Sequence, residues 1–347
     1  MDYPVRRTED WAAMAGVPLR ERIDAFLRNR RYLRRAKSRS GNELRPLHTA
    51  REPFGPRDIA LICVLRDAEN YIPSFLAHYR KLGVARFLVV SDRSTDRSND
   101  LLRQPDVDLF ASNVTFSEAG GGLVWRDMLA ERYGRNRWYL SVDADEYLVF
   151  PGSEMRPVSA LAADLERCGL KRAMAAMIDI YPDAPLAAAP TGYPADTAPT
   201  EICPLFDGDG YSVTPERIGS ALRGGPRKRL FGADMRLTKF PLLYVDRWTQ
   251  FAGGSHHGTL PVWRNYSAVH AVLLHYKFTP NAVAEFTALA ERGTHSNQSE
   301  YYKTIVAKDA FRDGPDLRYP GSRRFRGSED LVAAGFMQDL RLTRPRL

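Results

Sequence analysis

The chain is predicted to be an α/β protein, with a mostly parallel sheet flanked by helices and a mainly helical C-terminal region. Three observations predict this. Apolar runs of strand length recur at Ile59–Leu65, Arg86–Ser91 and Trp138–Val142, and unbroken apolar runs are what parallel strands covered on both faces present. Helical spacing fills the first interval, where Tyr71, Ile72, Phe75, Leu76 and Tyr79 lead up to a C-capping Gly83. Each run then ends in a polar, acid-bearing segment: Arg66–Asn70, Asp92–Ser98 and Asp143–Glu146. Strand, helix, strand with right-handed crossovers sets all strand carboxyl ends on one edge. That edge is where open α/β sheets bind ligands.

Composition narrows the class without fixing the partner. At 347 residues the chain has room for one large or two ordinary domains. Charged residues at 27% and hydrophobic ones at 44% describe an ordinary globular protein rather than a disordered one. A net charge of +8 favours acidic partners, whether nucleotides, nucleic acids or an anionic membrane surface. Cys63, Cys168 and Cys203 are odd in number and far apart. They form neither a disulfide framework nor a zinc spacing, which points to a reducing compartment. The N-terminus has no apolar signal region, and no apolar stretch approaches the roughly 18 residues of a membrane span. The expected location is cytoplasmic, or peripheral on the inner face of a membrane.

Residues 1–56 read as a basic extension. Within 18–38, Leu19, Ile23, Phe26, Leu27 and Leu33 fall at helical spacing opposite Arg20, Arg22, Arg28, Arg31, Arg34, Arg35 and Lys37. Such a helix either lies on anionic lipid or packs its stripe on the main domain. Residues 38–56 read as a linker. Residues 57–280 are expected to form the principal domain, with 57–150 as its nucleotide-binding half and 151–280 as its acceptor half. In the first half, a short strand fits Val107–Phe110, Gly120–Gly122 makes a joint, and a helix follows at Leu123–Tyr133. In the second, a helix fits 157–168, a strand Ala173–Ile180, a long loop 182–200, and a turn-rich segment Pro204–Tyr211. Gly224–Phe231 reads as a basic loop, Lys239–Val245 and Ala271–Lys277 as strands, and Gly253–His257 as a loop. Residues 281–347 are expected to be helical at Asn281–Glu291, Ser299–Phe311 and Ser328–Leu340.

The chemistry concentrates at the strand ends. Asp143 and Asp145 are two apart and share a side of an extended segment. Two carboxylates on one side suit Mg2+ or Mn2+, hard cations that often share a site with substrate phosphates; the plain alternative is a solvated turn. The loops at Arg66–Asn70 and Asp92–Asp96 offer hydrogen-bonding groups for a base and ribose. His275 closes a strand, either as a further metal ligand or as a packed strand-end residue, with Lys277 within reach of a phosphate. His256 and His257 sit on a glycine-rich loop and serve as acid, base or acceptor ligand, or simply decorate a surface. Arg227, Lys228 and Arg229 form either a phosphate clamp or a solvated basic face.

Over roughly residues 57–310 these features resemble a GT-A-fold, Rossmann-like glycosyltransferase of the family 2 type, near its subgroup with a D-A-D-E motif, and are also similar to family 92. The matching pieces are the apolar strand followed by Arg66 and Asn70, the S-D-R-S-T-D-R-S run from Ser91, and Asp143-Ala-Asp145-Glu146. Phe206-Asp207, Arg227–Phe231 and Leu274–Lys277 match as well. The resemblance implies that Asp92 contacts the base or ribose with Arg66 nearby, and that Asn70, Asp96, Arg229 and Lys277 also line the nucleotide-sugar site. Asp143 would face the ribose or metal, Asp145 would ligate a divalent metal, Mn2+ or Mg2+, and His275 would complete that site. It implies transfer from a UDP- or GDP-sugar to a glycan, lipid-linked or other acceptor hydroxyl by inverting displacement. Ser91 stands where the family often has a first aspartate, which leaves the nucleotide open. The base has no aligned counterpart; Asp246, His256 and His257 are candidates by position.

Rival classes fit less well. In a haloacid-dehalogenase-like phosphatase the D-x-D motif lies on the first strand and continues to Thr or Val, whereas here Tyr147 follows, deep in the chain. A nucleotidyltransferase usually carries a glycine-rich basic loop after its first strand, where this chain has Arg66-Asp-Ala-Glu69. A non-catalytic nucleotide- or anion-binding protein on the same fold is the third alternative. The interleaved aromatic and basic residues of a single-strand binder are not evident, so no specific nucleic acid is expected.

Overall fold

The structure, a computed structural model, describes residues 1–16, 19, 20, 23, 27, 41–216, 218–251, 259–292 and 300–343. Its strands are β1 (Asp2–Tyr3), β2 (Leu44–His48), β3 (Ala60–Leu65), β4 (Arg86–Ser91), β5 (Val107–Ser112), β6 (Arg137–Ser141) and β7 (Glu146–Val149). They continue as β8 (Arg172–Tyr181), β9 (Leu205–Asp207), β10 (Tyr211–Glu216), β11 (Gly219–Arg223), β12 (Thr238–Val245), β13 (Val269–His275) and β14 (Ser322–Arg324).

An 11-stranded sheet runs β14-β9-β8-β12-β6-β3-β4-β5-β2, with β13 pairing β7 and β8 beside that path. The β6-β3-β4-β5 section is parallel. Beyond it β12 runs antiparallel to both β6 and β8, while β13 runs parallel to β8 and antiparallel to β7. The expected α/β class and helix-flanked central sheet are thus present. A separate antiparallel sheet, β1-β10-β11, joins the start of the chain to its middle.

The parallel strands form because both faces are covered. Leu61, Cys63 and Leu65 of β3 pack with Phe75, Leu76 and Tyr79 from the helix Ile72–Lys81. Ala60, Ile62 and Val64 pack on the other face with Trp125 and Leu129 from the helix Leu123–Arg132. Alternate residues thus enter opposite cores, which is why the run is apolar throughout. A third core gathers Phe278, Phe286, Tyr302 and Phe311 around Phe231. Its Phe286 and Phe311 rings stack at 5.0 Å, which docks the helices Ala282–Arg292 and Asp309–Arg312 against the end of the sheet.

Four stretches differ from the sequence reading. The linker contains β2, which pairs antiparallel with β5 at the sheet edge. The chain turns back after the acidic stretch to form β7, a strand the sequence reading does not mark. From the end of the turn-rich segment onward, residues 211–216 and 219–223, which the sequence reading does not mark as strands, form the β10–β11 hairpin, whose return at Gly219 takes a φ of 128° that favours glycine. The basic loop is the helix Gly225–Phe231, with Pro226 in its first turn and Gly232 closing it. Of the amphipathic segment 18–38, only Leu19, Arg20, Ile23 and Leu27 are described, all exposed; the rest lies outside the described residues.

The chain ends meet. Val5 donates its backbone N–H to the Gly335 carbonyl at 3.0 Å, and the Tyr3 hydroxyl donates to the Phe336 carbonyl at 2.6 Å. Gly335 has a φ of +79°, and a Cβ there would sit 1.9 Å from the Val5 carbonyl oxygen, so the approach requires glycine.

His270 lies on β13 and is 1% exposed. Burial holds its imidazole down to about 4, so it is neutral in the folded state. Between pH 6.5 and that value the unfolded chain takes up a proton that the folded one refuses. Stability therefore falls with pH in this window, by about 1.4 kcal/mol per pH unit from this residue. His270→Leu should flatten the decline of thermal stability between pH 7 and pH 5; an unchanged slope in that variant would count against this assignment.

Candidate functional site

The loops after β3 and β4 are laced together. The N–H groups of Asp67, Ala68 and Glu69 donate to Ser94 Oγ, Ser98 Oγ and Asp96 Oδ2 at 3.1, 2.8 and 2.9 Å. In return Asp67 Oδ1 accepts from the Thr95 N–H at 2.7 Å and Glu69 Oε2 from the Arg97 N–H at 3.0 Å. Asp67 and Arg93 hold left-handed φ values of 48° and 58°, strain typical of functional loops. Asp96 is therefore a bracket. Burial opposes its charge, but hydrogen bonds from Ser98 and Glu69 hold its carboxyl below the usual range.

Asp92 stands beside this bracket at the end of β4. Its residue is 8% exposed, and its Oδ1 has no hydrogen-bond partner among the described residues. Burial pushes its carboxyl up, against the Phe116 N–H and the charge of Arg66. A buried carboxylate oxygen without a donor is costly unless something arrives to satisfy it. Arg66 and Asn70 are exposed on the rim.

Strand register assembles the acid cluster. Continuing the pairing of Leu242 with Leu140 outward sets Lys239 against Asp143. On β13, His275 lies opposite Glu146 of β7 on one side and Asp179 of β8 on the other. Lys239 Nζ reaches Asp143 Oδ2 at 2.7 Å and also pairs with Glu146. Arg126 adds a 3.3 Å contact to Asp143 Oδ1, and Glu146 Oε2 accepts from the Asp143 N–H at 3.0 Å. Asp145 Oδ2 lies 3.3 Å from His275 Nε2 and 3.3 Å from Lys277 Nζ. His275 Nδ1 contacts Asp179 Oδ1 at 2.6 Å, and Asp179 Oδ2 accepts from Arg227 Nε at 2.7 Å.

Electrostatics follow from that packing. Burial works to raise Asp143, but Lys239 and Arg126 hold it down at about 2. Burial likewise opposes the charge of Asp145, and Lys277 with His275 outweighs it. Glu146 is pushed up by burial, with Lys239 opposing and Asp143 and Asp145 assisting. Burial lowers His275, but the carboxylates of Asp145 and Asp179 on its two ring nitrogens raise it overall.

A cation site fits these residues. Asp145, Glu146 and His275 each offer one ligand atom, all within 4.8 Å of one another. Glu146 is 1% exposed and engaged by Lys239, so Asp145 and His275 are the available pair. Asp179 on Nδ1 leaves Nε2 facing Asp145, the outer-shell arrangement that orients metal-binding histidines. A carboxylate with an imidazole leaves further positions for phosphate oxygens and water.

Of the residues singled out in the sequence, Asp143, Asp145, His275 and Lys277 thus come together with Glu146, but both oxygens of Asp143 are occupied by Lys239 and Arg126. Arg229 is spent on Asp207, in a bidentate pair at 3.0 and 2.9 Å. Asp246 follows β12 at its far end, since Val245 pairs with Arg137 at the start of β6. A strand of that length separates it from Lys239 by roughly 20 Å. There Arg264 and Thr249 hold its carboxyl down at about 2, against burial, and a weakly basic group so placed is no base for this cluster. His256 and His257 lie outside the described residues. Lys239, Arg126, Asp179 and Arg227 complete the cluster. Asp179 carried a signal, as a lone carboxylate inside an otherwise apolar run.

No family model matches the chain, and no curated protein matches its sequence. In three dimensions it is similar to S. aureus TarS 1-349 at 12% identity and a TM-score of 0.30, covering 74% of this chain and 68% of that one. It is similar to S. aureus TarS at 16% identity and a TM-score of 0.27, where the match covers 40% of this chain and 23% of that one. A third likeness is to 4-diphosphocytidyl-2C-methyl-D-erythritol synthase, at 18% identity, a TM-score of 0.24, and 38% and 65% coverage. At these scores the likenesses add nothing to the topology and geometry above.

Lys239 is 3% exposed and compensates the buried carboxylate of Glu146 and the half-buried one of Asp143. Lys239→Met should cost about 3–5 kcal/mol in urea unfolding, because it strands Asp143 and Glu146. Adding Glu146→Gln should recover part of that loss; a single variant as stable as the parent would contradict the pairing.

Proposed function

We propose that the protein transfers a sugar from a nucleotide-sugar donor, a UDP- or GDP-sugar, to an acceptor hydroxyl. The observation that carries this reading is the juxtaposition at one sheet edge of a buried Asp92 carboxylate, one of whose oxygens has no partner among the described residues, and the Asp145–His275 pair. The first suits a base N–H or a ribose hydroxyl, the second a cation on a diphosphate. Residues 57–150 are read as the nucleotide-binding half.

Asp92 accepts a hydrogen bond from the nucleoside, and the laced loops fix its position before ligand arrives. Asp145 and His275 would hold Mn2+ or Mg2+, with Asp179 orienting the imidazole. Such a cation, when bound, neutralises charge on the departing nucleoside diphosphate. Lys277, 3.3 Å from Asp145, supplies a further positive charge at the same place. Lys239 and Arg126 keep Asp143 ionised and still. Displacement at the anomeric carbon is inverting in this reading. The nucleotidyltransferase reading shares the diphosphate and cation needs, but the Arg66–Glu69 loop lacks a glycine-rich phosphate cradle. The exposed Leu19, Ile23 and Leu27, in an arginine-rich segment, are consistent with contact with an anionic membrane that carries a lipid-linked acceptor.

Asp145→Ala should abolish Mn2+-dependent UDP or GDP binding in calorimetry and lower donor turnover more than about 100-fold, while circular dichroism shows the fold retained. Full turnover in that variant would refute the site. Asp92→Asn should weaken nucleoside diphosphate binding while leaving its Mn2+ dependence in place.

A further inference from the structure

Next to the acid cluster is a cavity of about 350 Å³, bounded by the start of the helix Ile72–Lys81, the turn after β13 and residues 191–197. The volume is at the small end for ligand sites, with room for a sugar unit rather than a long chain. Its walls combine Tyr71, Tyr193 and Tyr276 with Asn70, Asn281 and Glu285. The Tyr71 and Tyr276 rings meet edge to face at 5.9 Å. Aromatic faces suit the C–H surface of a pyranose, and amides with a carboxyl suit its hydroxyls.

The cavity is tied to the cation site. The Tyr276 N–H donates to the Asp145 carbonyl at 2.8 Å, and the next residue, Lys277, reaches the Asp145 carboxylate at 3.3 Å. Glu285 Oε2 accepts from the Tyr71 hydroxyl at 3.1 Å and from Thr279 Oγ1 at 3.4 Å. Burial pushes this carboxyl up and Asp145 assists, against Lys277, Tyr71 and Thr279. That is the direction which strengthens a carboxylate as a base.

We propose that this cavity holds the acceptor, a carbohydrate hydroxyl compound, and that Glu285 is the base that deprotonates it. This rests on the transferase reading above. In the step, the acceptor O–H proton passes to the Glu285 carboxylate while the oxygen's electron pair forms a bond to the anomeric carbon. The bond from that carbon to the phosphate oxygen breaks, and its pair leaves on the nucleoside diphosphate. Glu285 then returns the proton to water.

The test uses the full chain with UDP and GDP as donor-site probes and methyl glycosides of common hexoses and N-acetylhexosamines as acceptor probes. Calorimetry with Mn2+ reads the donor site. Saturation-transfer NMR and nucleoside diphosphate release from UDP- and GDP-sugars read the acceptor site. Glu285→Gln should keep nucleotide affinity within about twofold and keep glycoside saturation transfer, yet lower kcat by roughly 100-fold or more. Tyr193→Ala should raise the glycoside KM several-fold with kcat retained. A Glu285→Gln variant within threefold of the parent kcat would overturn the base assignment. Nucleotide binding with neither saturation transfer nor turnover on any glycoside would overturn the carbohydrate pocket. Failure of the parent protein to bind either nucleotide would overturn the donor reading and this inference with it.

Discussion

Everything at the sheet edge depends on one buried ammonium group. Three carboxylates, Asp143, Asp145 and Glu146, fall within four residues, and the chain must reverse there from β6 into β7. Burying such a turn without compensation would cost several kcal/mol per charge. Lys239 solves this by arriving from β12, antiparallel to β6, with its side chain between Asp143 and Glu146. Arg126 closes the other side of Asp143. With those two acids satisfied, Asp145 is the member of the trio left to point at Lys277 and His275.

The second constraint is a row of charges across adjacent strands. Glu146, His275 and Asp179 occupy facing positions on β7, β13 and β8, and Arg227 backs Asp179 from a short helix. A one-residue slip of β13 would turn His275 to the opposite face. The register is held by the apolar residues of the same strand, Val272 to Leu274, which are buried. Core packing in the middle of the sheet thus fixes the aim of an imidazole at its end.

The legible parts of the sequence were those where both faces of a strand are buried, because such segments are apolar without interruption. β3, β4, β6, β8, β12 and β13 all announce themselves in this way. The edge strands β2 and β14, the short inner strand β9 and the β10–β11 hairpin do not, since they are short or carry polar residues, and β2, β9 and β14 exist through pairing partners distant in sequence. The same division runs through the site. The acids stand together in sequence and could be seen, and His275 was visible as the end of an apolar run. Lys239 and Arg126 could not, because a cation at the start of a strand or within a helix looks the same whether solvated or buried. Their roles appear only when antiparallel register brings β12 alongside β6. Asp246 misled for a similar reason: strand direction alone decides which end of β12 faces the cluster.

The meeting of Val5 with Gly335 and of Tyr3 with Phe336 has a consequence for how the molecule is made. Synthesis delivers the first strand long before its docking partners, and closing so long a loop carries a large entropic cost. The β1 segment can pair with β10 once Tyr211 and Ser212 have emerged, but its final seat waits for residues near 335. Every strand of the central sheet, up to β14, precedes Gly335 in sequence, so this contact can close only after all of them have been synthesised.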